Sequence, residues 1–387
     1  MAIKRNIMLT LLREAQRRQS AMVKLLGEFV RCESPSHEKR AVDRFGRIVA
    51  TQWKRRCTQV DVIAQRTHGN HLRVEWNTEA SKKDGQILVL GHLDTVYPMG
   101  TIAKMPYRIA NGRAWGPGTF DMKGGLVLAL AAVDVLQATQ AGTRKRVIFL
   151  WTSDEEIGSE SSRRMIESEA RKSDAVLVLE PSFGTDGRLK TQRKGVGDAE
   201  IIVTGKSAHA GIEPEKGVNA VHELALQIER LIKMNDLKRG ITVQATVVRG
   251  GTTTNVVPDE ARAFVDLRFS KSEDSARIQR KLRNLHPILT GVRVTLRIGS
   301  MRPSLERSAG VRGLFQVAQS LMRDMGYPLG EAATGGGSDG NFTAALGVPT
   351  LDGLGTVGGG AHSPEEHIVI QKLPVRAALI AGLLASL

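Results

Sequence analysis

The chain of 387 residues is poor in cysteine, in aromatic residues and in long apolar runs. Its two cysteines, Cys32 and Cys57, form no CxxC pair and are too few for a disulfide framework. Aromatic residues make up only 4% of the sequence, which argues against stacking platforms for single-stranded nucleic acid. No apolar run reaches the roughly 18–20 residues that a membrane-spanning helix needs. These absences exclude a disulfide-stabilised scaffold and predict no membrane span.

Positive charge is abundant, because 55 Lys and Arg residues face 40 Asp and Glu residues, a net charge of +15. The basic clusters, such as residues 54–56 and 144–146, are short and scattered, so we interpret them as solvated surface and expect no nucleic-acid partner. Added positive potential could also attract acidic substrates. The opening residues contain no secretory apolar segment, and a cytoplasmic protein is therefore the default expectation.

Three apolar runs of strand length end abruptly in polar residues: 87–90, 147–151 and 175–179. Continuous apolar runs are typical of strands covered on both faces, as in a mainly parallel sheet. Helical patterns at residues 124–136 and 159–172 lie between these runs. The alternation predicts an α/β fold whose ligands bind beyond the carboxyl ends of the strands.

The middle of the chain has a different pattern. Residues 194–303 show strand, helix, strand, strand, helix and strand signals, a βαββαβ order that suits a separate α+β domain. We therefore predict a discontinuous catalytic domain at residues 1–193 and 304–387, with residues 194–303 inserted as a second domain.

Acidic and imidazole side chains cluster at the predicted strand ends. A single histidine or aspartate there would usually be structural, but several carboxylates meeting at one sheet edge would repel one another unless a cation neutralised them. A metal site explains their joint placement. The candidates are His92, Asp94, Asp121, Glu155, Glu156, Glu180 and His362.

Two histidines and three carboxylates satisfy two zinc-like ions if one carboxylate bridges them. In the pair Glu155 and Glu156, adjacent side chains can diverge, so that one binds metal while the other acts as a general base. Asp94 lies two residues after His92 and can accept the second imidazole N–H, which fixes the tautomer of the ring.

Five ordered motifs resemble those of the M20 metallopeptidases, and most of all the glutamate carboxypeptidase group of that family. The resemblance covers nearly the whole chain, and the different intervals between the motifs make it specific. The motifs are residues 91–96 (GHLDTV), 116–125 (GPGTFDMKGG), 154–159 (DEEIGS), 179–182 (LEPS) and 361–363 (AHS).

The resemblance implies that Asp121 bridges two metal ions, which His92 and Glu180 complete on one side and Glu156 and His362 on the other. Zinc is favoured, with cobalt or manganese as alternatives. It also implies that Glu155 is the catalytic base, which deprotonates the attacking water and returns the proton to the leaving nitrogen. The peptide bond after Asp121 is expected to be cis.

The second domain matches the lid or dimerisation domain of the same family, beginning with residues 205–211 (GKSAHAG). The resemblance implies a homodimer through residues 194–303, in which His209 of a second copy steadies the oxyanion; the alternative is an exposed loop histidine. Asn255 and Arg268 would hold a substrate carboxylate, the alternative being a turn with a surface salt bridge.

The resulting hypothesis is a metal-dependent hydrolase that cleaves the amide bond of an N-acyl amino acid or small peptide with a free carboxylate. A carboxypeptidase is the first expectation. The alternative is an N-acyl amino acid deacylase of the acetylornithine or succinyl-diaminopimelate type. A third interpretation, a binding protein that kept only the scaffold, is disfavoured because every expected ligand is present.

Overall fold

The computed structural model describes residues 5–57, 59–76 and 84–387. Residues 1–4, 58 and 77–83 of the predicted catalytic domain therefore lie outside the described residues. The α-helices are α1 (Arg5–Arg17), α2 (Gln19–Arg31), α3 (Lys39–Lys54), α4 (Thr101–Lys104), α5 (Gly124–Thr139), α6 (Arg163–Ala170), α7 (Ala220–Ile232), α8 (Ser272–Arg283), α9 (Ala309–Asp324), α10 (Gly340–Ala345) and α11 (Leu373–Ser386).

The strands are β1 (Gln59–Ile63), β2 (His71–Trp76), β3 (Gln86–His92), β4 (Arg108–Ala110), β5 (Arg113–Trp115), β6 (Arg146–Thr152), β7 (Ala175–Val178), β8 (Leu189–Arg193), β9 (Gly195–Thr204), β10 (Ala208–His209), β11 (Thr242–Gly250), β12 (Val256–Val257), β13 (Glu260–Phe269), β14 (Arg293–Arg302), β15 (Glu331–Thr334), β16 (Thr350–Leu351), β17 (Gly358–Gly359) and β18 (His367–Val369).

The chain divides into two compact units. The first contains residues 1–192, 307–333 and 338–387, and the second contains residues 193–306 and 334–337. The short segment 334–337, which the sequence prediction gave to the catalytic domain, thus groups with the second unit.

A six-stranded sheet in the order β1-β2-β6-β3-β7-β16 forms the centre of the first unit. Strands β6, β3, β7 and β16 run parallel, whereas β2 pairs antiparallel with β6 and β1 with β2. The predicted α/β class with a parallel-containing sheet is confirmed. The antiparallel β1 and β2 extend one edge of the sheet.

Alternating residues of the central strands face two different apolar cores, as expected for a sheet with both faces covered. In β3, Ile87 and Val89 join the larger core, while Leu88 and Leu90 join a smaller one with residues of α6 and α10. Helices α5 and α11 are apolar on nearly all sides and are buried within the larger core. Among the described residues, no helix is long and apolar enough to cross a membrane.

A small antiparallel sheet, β17-β18-β5-β4, determines where two of the candidate residues lie. Residues 360–366 connect β17 to β18 and carry His362. Strand β5, which pairs with β18, leads directly into the segment that carries Asp121. This pairing brings together two segments that are more than 200 residues apart in the sequence.

The second unit is built on an antiparallel four-stranded sheet in the order β11-β13-β9-β14. The long elements follow as β9, α7, β11, β13, α8 and β14. Strand β13 alternates between buried and less buried residues along its length, as expected when one face of a sheet packs against helices. Residues of α7 and α8 complete that packed face with Leu224, Leu231, Ile278 and Leu282.

Candidate active site

The carboxyl ends of three parallel strands converge at one edge of the central sheet. Strand β3 lies between β6 and β7, with Leu90 opposite both Leu150 and Val178. Because the strands are parallel and in register, the residues that follow them emerge side by side. The residues at this edge include His92 at the end of β3, Glu156 after β6 and Glu180 after β7.

Among the described residues, two groups have ligand atoms close enough together to hold a metal ion. We call them the buried triad (His92, Asp121 and Glu180) and the exposed triad (Asp121, Glu156 and His362). Glu155 belongs to neither.

The two triads share Asp121, but each uses a different carboxylate oxygen. His92 Nε2 lies 3.3 Å from Asp121 Oδ1 and 3.3 Å from Glu180 Oε1. His362 Nε2 lies 3.4 Å from Asp121 Oδ2 and 3.4 Å from Glu156 Oε2. The carboxylate of Asp121 therefore faces one triad with each oxygen, which is the arrangement that a ligand bridging two ions requires.

The carboxylates of the two triads raise the pKa values of both histidines. Burial alone would lower the pKa of His92, but hydrogen bonds from the ring to Asp121, Asp94 and Glu180 raise it well above its usual range. Asp121 and Glu156 raise the pKa of His362 to about 10. Burial raises the pKa of Glu156 to about 7. The surrounding carboxylates thus favour a positive charge at both histidines.

The donor set fits divalent cations. It combines imidazole nitrogens with carboxylate oxygens, the mixture that zinc and similar ions accept. In addition, the buried Oε1 atom of Glu156 has no hydrogen-bond partner in the part of the chain that the structure describes. A buried carboxylate oxygen without a partner is costly, and a bound cation would remove that cost.

Asp94 contacts the buried triad through Nδ1 of His92, the ring nitrogen that faces away from the other ligands. Its carboxylate accepts hydrogen bonds from the hydroxyl of Ser36 (2.7 Å) and from the backbone N–H groups of Glu156 (3.2 Å) and Glu155 (3.3 Å). Nδ1 of His92 lies 3.0 Å from the carbonyl oxygen of Asp94 and 3.5 Å from its carboxylate. Both acceptors orient the ring so that Nε2 faces the ligand cluster.

Glu155 and Glu156 lie in a short 3₁₀ turn, Glu155–Ile157, immediately beyond β6. The turn borders a cavity of about 310 Å³ whose wall includes Glu156, Ile157, Val96 and Met99. A substrate group can therefore lie beside the ligand cluster.

Comparison with known proteins agrees with this geometry. The profile of peptidase family M20/M25/M40 matches residues 88–386, which contain both triads. The chain belongs to this family.

Two curated relatives and one solved structure illustrate the range of the M20 family. Carboxypeptidase G2 from Pseudomonas sp. (strain RS-16) is 30% identical over 376 residues, covering 95% of this chain and 90% of the relative. Succinyl-diaminopimelate desuccinylase from Burkholderia lata is 29% identical over 334 residues, covering 81% and 86%. The structure of aminopeptidase PepT from Bacillus cereus superposes with a TM-score of 0.75 at 23% identity, covering 95% and 98%, and shows the shared fold.

Asp121 adopts the backbone conformation that the M20 resemblance implies, because the peptide bond between Asp121 and Met122 is cis. His362 has a φ of 61°, in the left-handed region that residues other than glycine seldom occupy. His367 lies apart from both triads; its ring packs against Trp115 with ring centroids 4.5 Å apart.

Two of the substrate-binding candidates lie together in the second unit. His209 in β10 pairs with Val256 in β12, and the carbonyl oxygen of Asn255 accepts a hydrogen bond from the backbone N–H of Ala210. Nδ1 of His209 accepts from the N–H groups of Gly211 and Ile212, both at 3.1 Å. The proton of the neutral ring must then reside on Nε2, which makes His209 an N–H donor.

Arg268 is not beside Asn255. It lies near the other end of β13, where its guanidinium makes a two-point ion pair with Asp266, 2.7–3.1 Å, and contacts the carbonyl oxygen of Gly335. A ten-residue strand rises by roughly 3.3 Å per residue, so its two ends are about 30 Å apart. Asn255 and Arg268 therefore lie far apart within a single protomer, and the expectation that they hold one carboxylate stays a prediction.

Sequence reasoning missed Glu366. This carboxylate is fully buried and accepts hydrogen bonds from the backbone of the segment that carries Asp121. The only local signal was its position four residues after His362 in the last motif region.

Proposed function

We propose that this M20 protein hydrolyses the amide bond of an N-acyl amino acid or small peptide that has a free carboxylate, releasing the C-terminal residue. The observation that carries the proposal is the shared carboxylate of Asp121, which directs one oxygen to each triad, with Glu155 in the adjoining turn. The 30% identity to carboxypeptidase G2 over nearly the whole chain supports a carboxypeptidase in particular.

His92, Glu180, Glu156 and His362 would hold two divalent cations, zinc first among them, with Asp121 between them. When bound, such ions polarise the scissile carbonyl and lower the pKa of water in the site. Glu155 accepts a proton from the attacking water and delivers it to the nitrogen of the leaving amine.

The test is hydrolysis of a panel of N-acyl amino acids and dipeptides by the zinc-reconstituted protein. Glu155→Ala and a chelator-treated sample serve as controls. General acid–base groups contribute about 10²–10⁴-fold to rates, so we expect a loss of that size in Glu155→Ala with metal content unchanged. Cleavage that persists in both controls would contradict the proposed mechanism.

The second candidate function is an N-acyl amino acid deacylase. It is supported by the 29% identity to succinyl-diaminopimelate desuccinylase. The same panel separates the two functions, because a deacylase would cleave only acetyl or succinyl groups, whereas a carboxypeptidase would select the C-terminal residue.

We further propose that the protein acts as a homodimer through the second unit. Strand β11 is an edge strand, and its Val247 and Val248 are 44% and 54% exposed. An exposed apolar edge favours pairing with another strand. In such a dimer, His209 and Asn255 of a second copy would bind the substrate that Arg268 of the first copy holds. Sedimentation analysis of Val248→Lys beside the wild type tests this arrangement.

A further inference from the structure

A buried carboxylate outside both triads holds the segment that presents Asp121. Oε1 of Glu366 accepts hydrogen bonds from the backbone N–H groups of Phe120 (2.7 Å) and Asp121 (2.8 Å). Oε2 accepts from the N–H of Gly118 (3.0 Å) and from the hydroxyl of Tyr97 (2.6 Å). Glu366 is 0% exposed, so all four donors reach it inside the protein.

These hydrogen bonds make the loop and the carboxylate depend on each other. A buried carboxylate is costly unless several donors satisfy it, and buried backbone N–H groups are equally costly without an acceptor. The loop at residues 118–121 therefore keeps this conformation only while Glu366 accepts its N–H groups. Asp121 lies at the end of that loop, so Glu366 fixes where its carboxylate points.

Glu366 also connects to the loop that carries His362. Its own N–H donates to the carbonyl oxygen of Ser363 (3.2 Å), which directly follows His362. The hydroxyl of Tyr97 lies 3.0 Å from the same carbonyl oxygen. The Glu366–Tyr97 pair thus contacts two of the three segments that supply the exposed triad, those that carry Asp121 and His362.

We propose that Glu366 is a positioning residue, with Tyr97 as its partner, that sets the separation of Asp121 and His362 and thereby the affinity of the exposed triad for its metal ion. The proposal rests on the proposed function, since it takes the two triads to be metal sites. A purely structural role would lower stability without any selective effect on metal binding.

The experiment measures binding of Zn²⁺ alone to the full chain by competition with a chromophoric chelator, with kcat, KM and apo-protein melting as further readouts. In Glu366→Gln the amide NH₂ cannot accept from Gly118 or Tyr97. We expect binding of one of the two zinc ions to weaken by about 10–100-fold, with kcat falling more than KM rises. Tyr97→Phe should likewise weaken the binding of one zinc ion and lower kcat, in each case by a smaller factor.

Glu223→Gln is the matched control. Glu223 is also 0% exposed and accepts backbone N–H groups, those of Ile288 and Leu289, but it lies in the second unit. We expect it to lower the melting temperature of the apo protein while leaving both zinc affinities unchanged.

Unchanged zinc affinities in a folded Glu366→Gln protein, or an equal loss in Glu223→Gln, would overturn the positioning role. If Glu366→Gln does not fold, Tyr97→Phe decides: weaker binding of one zinc ion supports the proposal, and wild-type binding overturns it. A wild-type protein that binds no zinc would overturn the proposed function itself, which is a distinct result.

Discussion

The buried and exposed triads share one aspartate but are held by very different surroundings. The side chain of His92 is 1% exposed and extends from the end of a central strand, with Asp94 behind its ring. The side chain of His362 is 50% exposed and lies in a loop between two-residue and three-residue strands. Two members of the buried triad, His92 and Glu180, thus lie at the ends of central strands, whereas in the exposed triad only Glu156 does.

This difference bears on how the site would work. A half-exposed histidine leaves the exposed triad open to a substrate, whereas the side chains of His92 and Glu180 are almost inaccessible to solvent. Glu156 belongs to the exposed triad, and Glu155 precedes it in the same turn.

The largest effect should follow from Asp121→Ala, which removes the ligand common to both triads. We expect both metal ions to be lost and hydrolysis to fall below detection, because the remaining carboxylates and imidazoles no longer surround either position. Elemental analysis after dialysis against zinc is the measurement. Asp186→Ala, a change at an exposed acid, is the control and should retain two ions. Retention of one ion in Asp121→Ala would show that the triads are independent.

A smaller effect is expected from substitution of the two histidines, and its size should differ between them. His362→Ala should lose one zinc ion and lower the unfolding free energy of the apo protein by less than His92→Ala does, since the side chain of His362 is half exposed. His92→Ala should also cost about 1–3 kcal/mol of unfolding free energy, because it leaves buried carboxylates without a partner. Denaturant unfolding of both apo variants tests this difference. Equal destabilisation would contradict the contrast between the triads.

The two triads should release their zinc ions at different rates when the metal is removed. On dilution into excess chelator, we expect two phases of zinc release, the faster from the exposed triad, because its histidine is open to solvent and to the chelator. Stopped-flow absorbance of the zinc–chelator complex follows both phases. His362→Ala should abolish the fast phase only. A single phase in the wild type would argue that the two sites release their ions together.

The smallest effect is expected from Ser36→Ala, which removes one hydrogen bond to Asp94. Because Ser36 acts on the buried triad only through Asp94, zinc affinity should fall by less than the roughly 10–100-fold typical of groups that contact a ligand directly. Ser34→Ala is the matched control, since the Ser34 hydroxyl is equally buried but donates to the carbonyl oxygen of Leu93. A larger loss in Ser34→Ala would contradict the role given to Asp94.

Much of the first unit could be predicted from the sequence. Apolar runs of strand length indicated β3, β6 and β7, and parallel strands necessarily bring their carboxyl ends to one edge. The residues that follow these runs, His92, Glu156 and Glu180, were therefore expected to meet. His362 was also among the candidates, but its pairing with Glu156 came only from the resemblance to the M20 family, since it follows a two-residue strand that has no recognisable pattern.

The sequence by itself determined which ligand types are present and which strand ends carry them, because those features follow from local composition and from the geometry of a parallel sheet. Only the tertiary structure decided how the two oxygens of Asp121 are divided between the triads, that Glu366 holds the Asp121 loop, and that Arg268 lies at the end of β13 far from the loop that carries Asn255. The physical reason is that these relations depend on pairing between segments distant in the chain, and such pairing leaves no periodic signal in the residues themselves.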